Sequence, residues 1–84
     1  MNQKTMFYTY ILRSLLHPDQ RYIGSTGDLK ARLAKHNAGE VPHTSKFKPW
    51  RIQTAIAFDG KEKACAFEKY LKTGSGREFT KRHF

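Results

Sequence analysis

Cysteine occurs once in the 84 residues, at Cys65. An internal disulfide is thereby excluded, and so is a Cys-rich zinc site. His17, His36, His43 and His83 show no metal-ligand spacing, so they do not replace it. Long hydrophobic runs are missing as well. No apolar stretch approaches the roughly 18 residues that a membrane-spanning helix requires. The run Phe7-Tyr8-Thr9-Tyr10-Ile11-Leu12 is too short for a secretory core, and no small-residue cleavage site follows it. A reduced, cytoplasmic setting is therefore expected. Acidic residues are scarce: seven Asp and Glu stand against sixteen Lys and Arg, a net charge of +9. Such a surplus on a small body attracts polyanions, either nucleic acid or an anionic membrane. Aromatics at 13% argue against disorder. The length fits one domain, residues 1–84, with a modest core.

Turn and periodicity signals divide the chain without repeats or linkers. Residues 6–13 are aromatic and β-branched, which predicts a buried strand. His17-Pro18-Asp19-Gln20 supplies a turn, and Arg21 to Ser25 a second strand, completing a hairpin. Asp28 caps a helix that runs to Asn37 and stops at Gly39. A basic loop over residues 40–49 leads to a third strand, Trp50 to Phe58. Asp59-Gly60 turns into a helix from Lys61 to Thr73, with its apolar stripe at Ala64, Phe67, Tyr70 and Leu71. Gly74-Ser75-Gly76 is expected to end that helix. Arg77 to Phe84 forms a last short one. The expected fold is α+β, a three-stranded, mainly antiparallel sheet flanked by helices in the order β-β-α-β-α-α.

Several positions invite a chemical reading. Pairing Arg13 with Arg21 in the hairpin puts Tyr10 and Tyr22 on one face as diagonal neighbours, about 7–8 Å apart. Strand tyrosines ordinarily pack, and the spacing alone does not separate packing from function. On the first helix, Arg32 and His36 are neighbours at i,i+4 on the margin of the stripe made by Leu29 and Leu33. They either point into a cleft or snorkel beside the core. Glu68 borders the buried stripe of the second helix, while Glu62 faces away. A carboxylate there either neutralises nearby cations or holds a divalent ion. The loop carrying Lys46, Lys48 and Arg51 mixes cations, hydroxyls and aromatics, which suits phosphate contact and base stacking. Gly74 to Arg77 has the character of a phosphate nest, but it lacks P-loop spacing.

These residues together resemble the GIY-YIG nuclease superfamily, notably its small single-domain members and the N-terminal nuclease domain of a bacterial excinuclease. Tyr22-Ile23-Gly24 matches the second triplet in full, and Tyr8-Thr9-Tyr10 matches the first at its last residue. Arg32 follows Tyr22 by ten residues, and His36 follows Arg32 by four. Glu68 stands on the helix after the third strand, where the family keeps its metal ligand. The resemblance covers residues 6 to about 80. Two departures stand out: Ser25 replaces a lysine found in some members, and no asparagine closes the region after Glu68.

The resemblance implies a metal-dependent DNA endonuclease. Glu68 would hold one Mg²⁺ or Mn²⁺, and Arg32 would neutralise charge on the phosphoryl group. Tyr10 or Tyr22 would take the proton of the attacking water. His36 would accept or position a phenolic proton. Lys46, Lys48, Arg51 and Arg77 are the expected phosphate contacts. DNA is the expected partner, with RNA open to the same surface, and no membrane is involved. One centre cuts one strand, so a double-strand cut implies a dimer or a protein partner. The rival reading is a non-catalytic nucleic-acid-binding module on the same fold.

Overall fold

The hairpin forms with Tyr10 and Tyr22 on one face. In the computed structural model, which describes residues 6–84, β1 (Phe7–Ser14) and β2 (Arg21–Thr26) pair antiparallel, with Arg13 opposite Arg21 and Tyr10 opposite Gly24. The intervening turn is closed by Gln20 N–H donating to the His17 carbonyl at 2.8 Å. Strand β3 (Trp50–Phe58) pairs antiparallel with the other side of β1. The sheet order is β2-β1-β3, so β1 is central and every pairing is antiparallel. Between Ile11 and Leu12 the β1–β3 register shifts, which leaves Gln53 as an extra residue on β3.

Alternation along β1 assigns its side chains to two layers. Tyr10 and Leu12 face helix α1 (Leu29–Asn37), in a cluster with Trp50, Leu33 and Ile52. Thr9 faces helix α2 (Lys61–Leu71), and its hydroxyl donates to the Ala64 carbonyl at 2.6 Å. Helix α3 (Gly74–His83) packs against α2 through Phe79 and Phe67.

Caps fix where the helices begin and end. The Asp28 carboxylate accepts from Ala31 N–H at 3.0 Å at the start of α1. At its end, Gly39 takes φ +79°, with Gly39 N–H bonding the His36 carbonyl and Glu40 N–H the Lys35 carbonyl. That is the left-handed closure for which glycine is suited. The second helix ends at Leu71, two residues before the expected Thr73. Gly74-Ser75-Gly76 does not terminate it but forms the first turn of α3. Thr73 explains the difference. Its hydroxyl donates to the Tyr70 carbonyl and accepts from Gly76 N–H, joining the end of α2 to the start of α3. A β-carbon on Gly76 would overlap the Tyr70 carbonyl oxygen, so glycine permits this close approach. Among the described residues, no helix is long and apolar enough to cross a membrane.

Candidate active site

Gly24 is the floor on which the two tyrosines meet. It lies opposite Tyr10 in the hairpin and two residues beyond Tyr22, on the same face. A β-carbon there would stand 2.6 Å from Tyr10 Oη and 3.1 Å from Tyr22 Cε2. Its absence lets the rings come together with centroids 6.3 Å apart. Tyr10 is 2% exposed, whereas Tyr22 is only half-buried.

Helix α1 completes the group from above. His36, expected at the margin, is the most deeply buried residue of the helix and has no exposed surface, while Leu29 and Leu33 are only half-buried. Its ring centroid lies 4.9 Å from that of Tyr22, and its Nε2 is 3.1 Å from the Tyr10 hydroxyl. Its Nδ1 is 2.8 Å from the hydroxyl of Thr44, which also donates to the Val41 carbonyl at 3.3 Å. The single Thr44 proton is thereby used, so Nδ1 carries the imidazole proton and Nε2 accepts from Tyr10. Burial, followed by the charge of Arg32, lowers the His36 pKa below 6.5, which keeps the ring neutral.

Thr44 joins this group through its hydrogen bond to His36, although the sequence pattern does not single it out from the basic loop. It is 1% exposed. Its carbonyl accepts from Trp50 Nε1 at 2.9 Å, and Asn37 brackets the Trp50 backbone with two hydrogen bonds. A buried hydroxyl threaded into a loop of lysines leaves no periodic signal.

The Tyr10 phenol is pushed up to about 12. Burial is the main cause, Tyr22 and Glu68 add to it, and Arg32 opposes it by charge and hydrogen bonding. Arg32 thus acts on the phenol, the cleft-facing one of the two placements that its helical position left open. At neutral pH the Tyr10 hydroxyl is therefore protonated and donates to His36.

Glu68 approaches from the other layer. Along edge strand β2, Tyr22 and Gly24 face α1 while Ser25 faces α2. The Ser25 hydroxyl donates to Glu68 Oε1 at 2.6 Å, and Lys72 Nζ to Oε2 at 2.9 Å. Partial burial disfavours the carboxylate, but these two hydrogen bonds and the charges of Lys72 and Lys69 outweigh it. The Glu68 pKa lies below 4.5, and the group is ionised. Ser25, which departs from the resembled pattern, and Lys72 are therefore what hold Glu68 in place. No cluster of three ligating side chains occurs among the described residues. One carboxylate suits Mg²⁺, which keeps waters and takes substrate phosphate oxygens, far better than it suits zinc.

The expected phosphate contacts divide between two layers. Lys48 Nζ lies over Gly39 at the C-terminus of α1, and Lys46 sits over the Phe47 ring. Arg51 points away from the Trp50 side, and Arg77 lines a cleft of about 610 Å³ between α3 and the start of β2.

Comparison with known proteins agrees with this geometry. The family model described as the GIY-YIG catalytic domain matches residues 6–82. The chain is 40% identical over 68 residues to the structure-specific endonuclease subunit SLX1 of Malassezia globosa, covering 75% of this chain and 15% of that protein. It is 36% identical over 73 residues to the UPF0213 protein YsiG of Lactococcus lactis subsp. lactis, covering 86% of this chain and 65% of the relative. The chain thus spans less than two thirds of either relative. The match over almost the whole chain, with the tyrosine pair, Arg32, His36 and Glu68 gathered about β2, places this protein in the GIY-YIG catalytic-domain family.

Proposed function

We propose that the chain is a metal-dependent DNA endonuclease that hydrolyses phosphodiester bonds. The observation that carries the reading is the grouping about one edge strand of a phenol pair, a neutral histidine, a guanidinium and an ionised carboxylate. Packing alone requires none of the last three.

Tyr22 is the proton acceptor for the attacking water. It is the more accessible phenol, half-buried where Tyr10 is 2% exposed, and its ring lies against that of His36. Tyr10 donates to His36 and holds the imidazole beside Tyr22. Arg32 neutralises charge that develops on the phosphoryl oxygens. Glu68 is the residue that would hold Mg²⁺ or Mn²⁺, its carboxylate kept in place by Ser25 and Lys72. When bound, such an ion polarises the phosphoryl group and stabilises the leaving oxygen. Recognition is directed to DNA structure, with weak sequence preference; the relative named a structure-specific endonuclease subunit supports this. A double-strand cut would require a second copy or a protein partner.

Incubation with supercoiled plasmid in Mg²⁺, Mn²⁺ or chelator tests the reading. Nicking is expected with either metal and not with chelator. Glu68→Ala should abolish it while leaving DNA affinity equal or slightly raised, since a negative charge near phosphate is removed. Exposed Glu62→Ala should be silent. A protein that binds the plasmid but never nicks it would be a binding module instead.

A further inference from the structure

The sheet register places three arginines side by side. Arg13 is opposite Arg21 on β2 and opposite Arg51 on β3. All three project to the α2/α3 side, because Leu12 and Trp50, their neighbours in sequence, face α1. Like charges directly opposite one another destabilise a sheet. Among the described residues none of the three has an ion pair. Arg13 is pinned by donation from Nε to Gln53 Oε1 at 2.9 Å and from Nη1 to the Pro18 carbonyl. Arg21 and Arg51 are exposed.

This row is continuous with the cleft. Arg21 lines it together with Arg77 and Lys81, which lie one helical turn apart on α3, and with Lys72, the partner of Glu68. Asp19 and Glu78 also line it, so cations outnumber acids four to two there. Strands about 4.8 Å apart give the row a length of about 10 Å, long enough to meet more than one phosphate of a nucleic-acid strand.

We propose that Arg21, Arg13 and Arg51, with Arg77 and Lys81, form a second phosphate-contact surface, on the sheet face opposite the tyrosines. It takes the backbone of a nucleic-acid strand leading away from Glu68 around the β2 edge. The proposal rests on the nuclease reading for its direction, but its binding test does not require cleavage.

The test is fluorescence anisotropy of a labelled DNA duplex in chelator, over a series of salt concentrations. Each phosphate contact adds about 0.9 to the slope of log K against log salt. Arg21→Gln/Arg51→Gln should lower the magnitude of the slope by about 1–2, whereas Arg21→Lys/Arg51→Lys should retain it. Lys61→Gln/Lys63→Gln, at the opposite end of the sheet, should change it little. An unchanged slope in the glutamine pair, an equal loss in the Lys61/Lys63 pair, or a loss in the lysine pair would overturn the surface. A protein that never cuts yet shows this dependence on the row removes the nuclease reading and keeps the surface. One that cuts with an unaltered slope removes only the surface.

Discussion

The Tyr10 hydroxyl donates to His36 Nε2 across 3.1 Å, and Thr44 fixes the direction of that bond from the far side of the ring. The chain of donors runs Tyr10 to His36 to Thr44 to the Val41 carbonyl. Three of its four members are buried to 2% exposure or less. An unpaired group inside it therefore bears nearly its full desolvation cost.

Thr44→Val keeps the shape and removes the acceptor for His36 Nδ1–H. It should lower stability by about 1–3 kcal/mol, as for a buried donor left unsatisfied. Cleavage should fall roughly tenfold, the effect of about 1.4 kcal/mol of lost positioning. Thr44→Ser should restore most of both. Imidazole ¹⁵N NMR checks the cause: the Nδ1–H tautomer should dominate in the wild type and in the serine variant, but not in valine. A wild-type tautomer in Thr44→Val would remove Thr44 from the relay.

The pH dependence of stability follows from the same ring. The native His36 pKa is below the ordinary 6.5, so the unfolded chain takes up the proton first. The stabilisation is complete above about pH 6.5 and is lost as the pH falls from there through the lower native value. Glu68, depressed below 4.5, loses its contribution in a separate and more acidic window. Melting temperature should therefore decline between pH 7 and pH 5, and His36→Gln should flatten that decline. Equal slopes for the two proteins would contradict the buried neutral imidazole.

Gly24 tests whether the tyrosine pair needs its floor. In Gly24→Ala the new methyl meets Tyr10 Oη at 2.6 Å and Cζ at 2.8 Å, and the His36 bond holds that ring in place. The overpacking should cost about 1–3 kcal/mol and displace the phenol from His36. Gly74→Ala, in the open first turn of α3, has no atom within 4 Å of the new carbon. It should be neutral or slightly stabilising by helix propensity. Thermal denaturation of both variants separates a steric cost from a general one.

Local chemistry made much of this fold readable. The hairpin with Tyr10 and Tyr22 on one face, the Asp28 cap, the Gly39 stop and both ends of β3 follow from turn residues and alternation, which act within a few positions. The tyrosine pair and the Arg32–His36 spacing were legible for the same reason, since a hairpin and a helix turn are short-range geometry. What lay hidden depends on tertiary contact. Ser25 and Glu68 are 43 residues apart, and only the packing of α2 on the sheet joins them. His36 reads as a marginal residue on a helical wheel, because a wheel does not know that Thr44 and Tyr10 will satisfy both ring nitrogens. Gly74 to Gly76 reads as a stop because glycine is a poor helix former. Its place in a helix is set by Thr73 and by the proximity of Tyr70.

The last prediction separates the two phenols. Ionising Tyr10 at pH 7, with a pKa of about 12, costs about 7 kcal/mol. That is too much for a base that must act in every turnover, and its proton is already committed to His36. Tyr22 is half-buried, sits against the His36 ring and shares the β2 edge with Ser25, which anchors Glu68. Tyr22→Phe should therefore stay folded, bind DNA, and lose at least about 10²-fold in single-turnover cleavage. Tyr10→Phe leaves His36 Nε2 without its donor. It should cost about 1–3 kcal/mol in stability and reduce the rate by a smaller factor, because the imidazole beside Tyr22 is less well held. The two variants thus differ in opposite senses, one mainly in rate and the other mainly in melting temperature. A larger rate loss in Tyr10→Phe than in Tyr22→Phe would reverse the assignment of the base. Wild-type rates in both would return the pair to packing.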